Sequence, residues 1–293
     1  MTTGQPLVNA VHTRPARIED AEVCGRICYQ AFTGISTHHN FPPDFPAPEE
    51  AIGLLTMMFS HPKFFCVVAE TNERIVGSNC LDERGPIAGL GPITVDPTVQ
   101  NSSIGRSLMH AVLDHARMRG VAGVRLVQAA YHSRSLSLYL KLGFDAREPL
   151  SLVQGSPLKA SVEGCAVRPA LAEDVDACSR LYEAVHGHTR DEELRDAILQ
   201  GTAFVVERRG RITGYTSGLS FFGHSVAESD IDLQALISSA DGFAGPGLLV
   251  PTRNANLLRW CLSSGLRLVQ PMTLMTTGFY HEPSRPYLPS ILY

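Results

Sequence analysis

The chain begins the same way twice. From Arg14 it reads R-P-A-R-I-E-D-A-E-V-C-G-R, and from Arg168 it reads R-P-A-L-A-E-D-V-D-A-C-S-R, with seven identical positions. Each copy predicts a short strand, an acidic helix start and an amphipathic helix. A second pair follows: F-F-C-V-V-A-E-T-N-E-R-I-V-G, ending at Gly77, and A-F-V-V-E-R-R-G-R-I-T-G, ending at Gly214, each patterned as a β-hairpin with a polar turn. A third sets Tyr139-Leu140-Lys141-Leu142-Gly143-Phe144 against Cys261-Leu262-Ser263-Ser264-Gly265-Leu266. The offset falls from 154 to 137 to 122 residues, so the second copy lacks 17 residues before its hairpin and 15 after it. Such a duplication predicts two related folds in series, and 293 residues suffice for two cores. Gly, Pro, Ser and Lys interrupt the apolar periodicity near 155–164, so the expected domains are 1–158 and 159–293.

The second deletion falls where the first copy is most distinctive. Residues 95–106 read V-D-P-T-V-Q-N-S-S-I-G-R and join an apolar strand to an amphipathic helix through small polar residues. A loop that opens a helix points unpaired backbone N–H groups at one spot, and the helix dipole adds partial positive charge, so a phosphate needs little side-chain help. Arg106 adds a full charge. The helix expected over 104–119 puts Ile104, Leu108, Val112 and Ala116 on one face, turns Ser107, His110, Asp114 and Arg117 outward, and stops at Gly120. Residues 132–144, H-S-R-S-L-S-L-Y-L-K-L-G-F, read as a shorter helix that carries Tyr139 and ends at Gly143. In the second copy, 228–240 (E-S-D-I-D-L-Q-A-L-I-S-S-A) has neither the glycine nor the arginine, and Cys261 stands where Tyr139 does. The second copy is expected to keep the scaffold without the anion site.

These segments resemble the pyrophosphate loop, Q/R-x-x-G-x-G/A, and the terminal N-x-x-A-x-x-x-Y-x-x-x-G-F element of the GNAT superfamily of CoA-dependent N-acetyltransferases. The resemblance covers 12–150 well and 165–278 weakly. It implies an α/β class with mixed α+β sheets, as two tandem GNAT folds, the first binding acetyl-CoA and the second degenerate. The strand over 87–95, I-A-G-L-G-P-I-T-V, has a proline and glycines that favour a bulge. By the resemblance it splays from a parallel neighbour at 124–130, and the N–H groups of Ile93, Thr94 and Val95 serve the cofactor's amides and the oxyanion of acetyl transfer. Gln100, Asn101, Ser102, Ser103, Ile104, Gly105, Arg106 and Ser107 are then the diphosphate-binding residues. Ser103 replaces the family's first glycine, and a Cβ there disfavours positive φ, which predicts weakened binding. His132 and Ser135 stand at the family's Asn and Ala positions and are expected at the cofactor. Tyr139 is implied to protonate the CoA thiolate as it leaves.

Acetylation of an amine also needs a base. The strand over 87–95 carries no acid or histidine, so Asp82 and Glu83 just before it are the expected catalytic carboxylates. His38, His39 and Asp44 occupy the aromatic, proline-rich loop H-H-N-F-P-P-D-F-P-A-P and are further candidates, with Tyr293 a remote one. The expected function is N-acetyltransfer from acetyl-CoA to a small-molecule or peptide amine by direct attack; the alternative is a non-catalytic acyl-CoA-binding or sensor protein. A formal net charge of -4 with scattered basic residues argues against nucleic acid and anionic membrane as partners. With no leader pattern and no apolar stretch of roughly eighteen residues, a cytoplasmic location is expected, and a homodimer is allowed. The seven cysteines include no C-x-x-C pair, and Cys24 and Cys28 at i, i+4 have no second ligand pair, so no metal is expected.

Overall fold

A computed structural model describes residues 11–100 and 103–292. In the first repeat the elements are β1 (His12–Pro15), α1 (Ala21–His38), α2 (Pro48–Ser60), β2 (Phe64–Thr71), β3 (Arg74–Asp82), β4 (Ile87–Leu90), β5 (Thr94–Val95), α3 (Ile104–Arg119), β6 (Gly123–Ala129), α4 (Ser133–Lys141) and β7 (Asp145–Gln154). The second repeat contains β8 (Ala166–Pro169), α5 (Val175–His186), α6 (Asp191–Leu199), β9 (Phe204–Arg208), β10 (Arg211–Thr216), β11 (Ser225–Ala227), α7 (Asp230–Ser239), β12 (Leu248–Pro251), α8 (Ala255–Ser263) and β13 (Arg267–Gly278), followed by β14 (Tyr287–Leu288). The class is mixed α/β. Among the described residues no helix is long and apolar enough to cross a membrane.

The duplication is visible in detail as well as in element order. Arg14 donates to both oxygens of Asp20 and to Glu70, while the carboxylate of Asp20 accepts the N–H of Arg17 at 2.8 Å. Arg168 makes the same bonds to Asp174 and Glu207, and Asp174 accepts the N–H of Leu171, also at 2.8 Å. The identical R-P-A-x-x-E-D residues therefore tie the first strand to the helix start in each repeat. Bidentate arginine–carboxylate geometry makes this a directional clamp, which helps account for its two-fold appearance.

The chain divides into two compact units. The first comprises residues up to His38, Phe45–Leu81 and Gly91–Gly120. Here β1 pairs antiparallel with β2, placing Arg14 opposite Val68, β2 neighbours β3, and β5 pairs antiparallel with β3. Ile104, Leu108, Val112 and Ala116 are buried as their spacing predicts, and Gly120 closes α3 at φ 69°, a left-handed cap that suits glycine. Full burial of Leu108 or Val112 is worth about 1.5–3 kcal/mol. Gly25 lets α1 and α2 meet closely, since a Cβ there would lie 2.5 Å from the Ile52 Cα. Cys24 and Cys28 are buried, and burial pushes the Cys24 thiol up to about 12, as suits a small core hydrophobe.

The second unit comprises His39–Asp44, Asp82–Leu90 and the chain from Val121 onward. One sheet has the order β14-β11-β10-β9-β8 and holds the start of the second repeat. The other runs β4-β6-β13-β7-β12. In it β13, the last strand of the second repeat, lies between two strands of the first: it pairs with β6 from Met272 opposite Ala129 to Gly278 opposite Gly123. On its other side it pairs with β7 from Arg267 opposite Gln154 to Thr276 opposite Asp145. β7 in turn pairs with β12 of the second repeat. Each repeat thus surrenders its last strand to the other, and the ladders cross the expected boundary at 158/159. Residues 158 and 159 lie in the irregular segment between β7 and β8, and the sheets on its two sides are not self-contained. Leu274, Met275 and Thr276 are all buried, as consecutive residues of an inside strand must be. Pro271, which has no N–H to give, lies just beyond the β6 ladder and accepts the N–H of Ala130.

Candidate active site

The elements expected to bind the anion belong to the first unit. The parallel ladder of β4 on β6 runs from Ile87 opposite Gly123 to Gly89 opposite Arg125, and Thr94 and Val95 pair instead with Ser78 and Gly77 of β3. The strand expected over 87–95 is therefore broken, at Gly91 and Pro92. Gly77 allows the new pairing, because a Cβ there would meet the Thr94 carbonyl at 2.5 Å. The N–H of Asp96 goes to the Val76 carbonyl, so by strand alternation the N–H of Val95 points away from β3. Ile93 is half-buried and Thr94 buried. The Gln100 side chain donates to the Val95 carbonyl at 3.3 Å and braces the loop. Asn101 and Ser102 lie outside the described residues.

Ser103 is the N-cap of α3 at φ 64°, ψ 0°, the left-handed conformation that the family's glycine would adopt without strain. Its side chain makes no capping bond, so the first-turn N–H groups of Ile104, Gly105 and Arg106 are not closed off by it. Ile104 is buried, Gly105 half-buried and Arg106 exposed. The N–H and hydroxyl of Ser107 both donate to the Ser103 carbonyl, at 3.0 and 3.3 Å, so Ser107 closes the first turn. A left-handed residue with a Cβ costs roughly 1–2 kcal/mol, whereas the extra entropy lost by glycine is about 0.5–1 kcal/mol. Ser103→Gly is accordingly expected to melt slightly higher and to bind acetyl-CoA severalfold more tightly by calorimetry. Weaker binding would make the Ser103 hydroxyl a ligand in its own right.

The second unit supplies the helix that carries Tyr139. This side chain is 6% exposed on α4, with its ring edge-on to Phe144 at 6.1 Å. Burial pushes its phenol up to about 12, and a hydrogen bond with the hydroxyl of Ser135, one turn earlier, offsets part of that rise. The Ser135 Oγ is 2.7 Å from the His132 Nδ1. Burial, then the charge of Arg134, holds His132 below the usual histidine range, so it is neutral at physiological pH. Its Nε2 is buried without a hydrogen-bond partner among the described residues. His132 and Ser135, expected at the cofactor, thus form a hydrogen-bonded line that ends on the Tyr139 phenol. The i, i+3, i+7 spacing held this signal.

Asp82 needs correction as the expected base. Arg84 grips it with Nε at 2.9 Å to Oδ1 and Nη2 at 2.6 Å to Oδ2, and its own N–H adds a third bond at 3.0 Å. The same guanidinium reaches Asp196 at 3.1 Å. A carboxylate forked by an arginine has both oxygens occupied by those donors and is not open to an acceptor's amine. Glu83 follows it, half-buried. His38 ends α1 in the first unit. Asp44 has a different setting: Gln270 donates to it through Nε2 at 3.2 Å, and the hydroxyl of Tyr131 donates to the Gln270 Oε1, also at 3.2 Å. Phe41 stacks on Tyr131 with ring centroids 4.3 Å apart.

The corresponding helix start in the second repeat is already filled. Asp232 of α7 is wholly buried and holds Arg208 at 2.8 Å, with Ser229 and Thr213 donating to its carboxylate as well. Asn254, in the position matching His132, accepts the N–H of Leu257 and donates to Asp230 at 2.7 Å. Two carboxylates at the mouth of a helix exclude a diphosphate by like charge. The first turn of α3 carries no acidic residue, whereas that of α7 carries Asp230 and Asp232.

Residues 30–144 match the model of the acetyltransferase (GNAT) family. An IAA acetyltransferase of Azospirillum brasilense is 29% identical over 119 residues, which cover 40% of this chain and 78% of that one. A mycothiol acetyltransferase of Nocardia farcinica is 38% identical over 63 residues, only 22% of this chain and 21% of the relative. Among solved structures, a Pyrococcus horikoshii protein studied as an acetyltransferase candidate matches with a TM-score of 0.75 at 19% identity, covering 100% of this chain and 98% of its own. A tandem GNAT protein from the clavulanic acid biosynthesis pathway matches with a TM-score of 0.55 at 14% identity, over 92% and 98%. At such identities these two speak for the fold. The acetyltransferase match falls within the first repeat, and the fold built twice over is shared with a tandem GNAT protein. The match to the GNAT family thus covers residues 30–144, and the likeness of fold covers the whole chain.

Proposed function

We propose that this protein transfers the acetyl group of acetyl-CoA to an amine by direct attack, with the cofactor held by the first repeat alone. The observation that carries the reading is Tyr139, a buried phenol kept protonated and oriented through Ser135 and His132. A protein that only sensed acyl-CoA would have no use for a proton donor so prepared. The N–H groups at the start of α3, with Arg106, would hold the diphosphate, and the N–H of Val95 would meet the pantetheine amides. Acetyl-CoA brings the acetyl group as a thioester, activated toward nitrogen. Tyr139 would give its hydrogen to the sulfur as charge develops there, with the hydroxyl of Ser135 keeping the phenol aimed.

Two measurements test this. Calorimetry of the full chain with acetyl-CoA is expected to give a stoichiometry near one, since the acids of α7 close the second helix start. Turnover against a panel of primary amines should release CoA thiol and acetylated amine in equal amounts. Tight binding without turnover across the panel would return the chain to the binding-protein reading, and two equivalent sites would overturn the assignment to one repeat.

A further inference from the structure

We infer that Asp44, beside Tyr131 and the Phe41 ring stacked on it, is the subsite that receives the acceptor's ammonium group and the base that deprotonates it; the inference rests on the acetyl-transfer reading above. The contrast with the other acids is the starting point. The buried carboxylates Asp20, Asp82, Glu148, Asp174, Glu193 and Asp232 are each in an ion pair with an arginine, respectively Arg14, Arg84, Arg253, Arg168, Arg190 and Arg208. Asp44 is not. Among the described residues its hydrogen-bond partner is the neutral amide of Gln270, and it is half-buried, so a solute can reach it. A carboxylate without a cation of its own, set beside stacked aromatic rings, is the combination that recognises an alkylammonium ion by charge and by the ring faces.

The surroundings also fix its orientation. The hydroxyl of Tyr131 donates to the Gln270 Oε1, which turns the amide so that Nε2 faces Asp44. Tyr131 is in turn in contact with Phe41, stacked at 4.3 Å, and with His39, whose ring centroid is 5.1 Å away. The titratable groups about Asp44 are Tyr131 and, beyond it, His39 and His132. Burial and the charge of Asp44 push Tyr131 up to about 12, so it stays neutral throughout the working range. Burial raises Asp44 itself to about 6, with the Gln270 bond acting the other way. Such a carboxylate is charged at neutral pH yet basic enough to accept a proton.

This setting selects the acceptor. A primary amine on an apolar or aromatic body suits it, whereas an α-amino acid would bring its carboxylate against Asp44. In the reaction the ammonium first gives one proton to Asp44, which passes it to solvent. The amine nitrogen then bonds to the acetyl carbonyl carbon as the C–S bond breaks, and its second proton again goes to Asp44 and on to solvent. The sulfur takes a proton from Tyr139, which solvent restores. One proton is released overall.

The test uses the full chain, with phenethylamine as acceptor probe and glycine as the amino-acid comparison. Wild type is expected to prefer phenethylamine and to show a kcat profile with an inflection near pH 6. Asp44→Asn should lose that inflection and about a hundredfold to ten-thousandfold in kcat, with acetyl-CoA affinity within about twofold. Gln270→Leu removes the donor that opposes burial and should move the inflection upward. A readout independent of activity follows from the raised carboxyl: the folded state binds the extra proton between pH 4 and 6, so stability falls as pH rises through that window. Asp44→Asn should therefore melt several degrees above wild type at pH 7, the advantage vanishing near pH 4. An unchanged inflection and rate in Asp44→Asn, or preference for glycine, would overturn the inference while leaving acetyl transfer intact. Absence of acetyl-CoA binding in every protein would overturn both.

Discussion

A chain ending at residue 164 is expected not to fold as a monomer. The first repeat looks complete in sequence, with its own strands, loop and helices, but in the folded protein β6 and β7 are not neighbours. β13 lies between them and pairs along both. Strands sit about 4.8 Å apart, so removing β13 leaves a gap of about 10 Å that β7 would have to cross and then re-register. Leu150 and Leu152 of β7 would also lose Leu249, Met272, Leu274 and Phe221, their partners in one buried cluster. At about 1.5–3 kcal/mol for each buried side chain, exposing this cluster consumes most of a typical domain stability of about 5–15 kcal/mol. The measurements are sedimentation and thermal unfolding of the 1–164 fragment, alone and co-expressed with 165–293. A soluble monomer with a sharp melt would sink the exchanged-strand account, and recovery of a native-like complex only with the second fragment would support it.

What the sequence makes legible is local or repeated. The R-P-A-x-x-E-D recurrence locates both helix starts, and the clamps of Arg14 and Arg168 show why those residues recur together. The stripe of α3 and its stop at Gly120 follow from a period of 3.6 and a left-handed cap. The broken strand around Gly91 and Pro92 is likewise readable, because proline cannot serve a ladder. Strand exchange is not readable. The pattern of 267–278 predicts a strand but names no neighbour, and the choice of β6 and β7 depends on residues more than a hundred positions away.

The site shows the same division. Ser103 stands out in the sequence because glycine is missing there, and it is indeed forced to positive φ. Asp82 draws notice by its nearness to the broken strand, but Arg84, two residues later, takes it. Asp44 is one acid in a proline-rich loop until Gln270, 226 residues downstream, gives it a partner. Asn254 keeps the family's residue while its side chain turns to Asp230, which removes it from any cofactor. Residue type survives in a sequence; the partner that decides its charge state is set by packing.

Tyr139→Phe is expected to lower kcat by about a hundredfold to a thousandfold while leaving acetyl-CoA affinity and melting temperature nearly unchanged. The ring would still pack against Phe144, so only the hydroxyl and its bond with Ser135 are lost. The size of the effect follows from the acidity of the group. With the phenol near 12 and a thiol near 8.5, full transfer of the proton to a separated thiolate is uphill by roughly 3.5 pH units. Tyr139 is therefore expected to act as a hydrogen-bond donor while the C–S bond breaks, with the proton passing only in concert with that bond's cleavage. Loss of such a donor resembles loss of one oxyanion-hole contact in magnitude. The burden should fall on poor leaving groups, so a more acidic aryl thioester should narrow the gap between wild type and Tyr139→Phe to about tenfold or less. Ser135→Ala, which leaves the phenol in place but unaimed, should show a smaller loss of the same kind. Single-turnover measurements are required, so that product release does not mask the chemical step. Equal single-turnover rates for wild type and Tyr139→Phe, or a gap that ignores the leaving group, would remove the phenol from the chemistry.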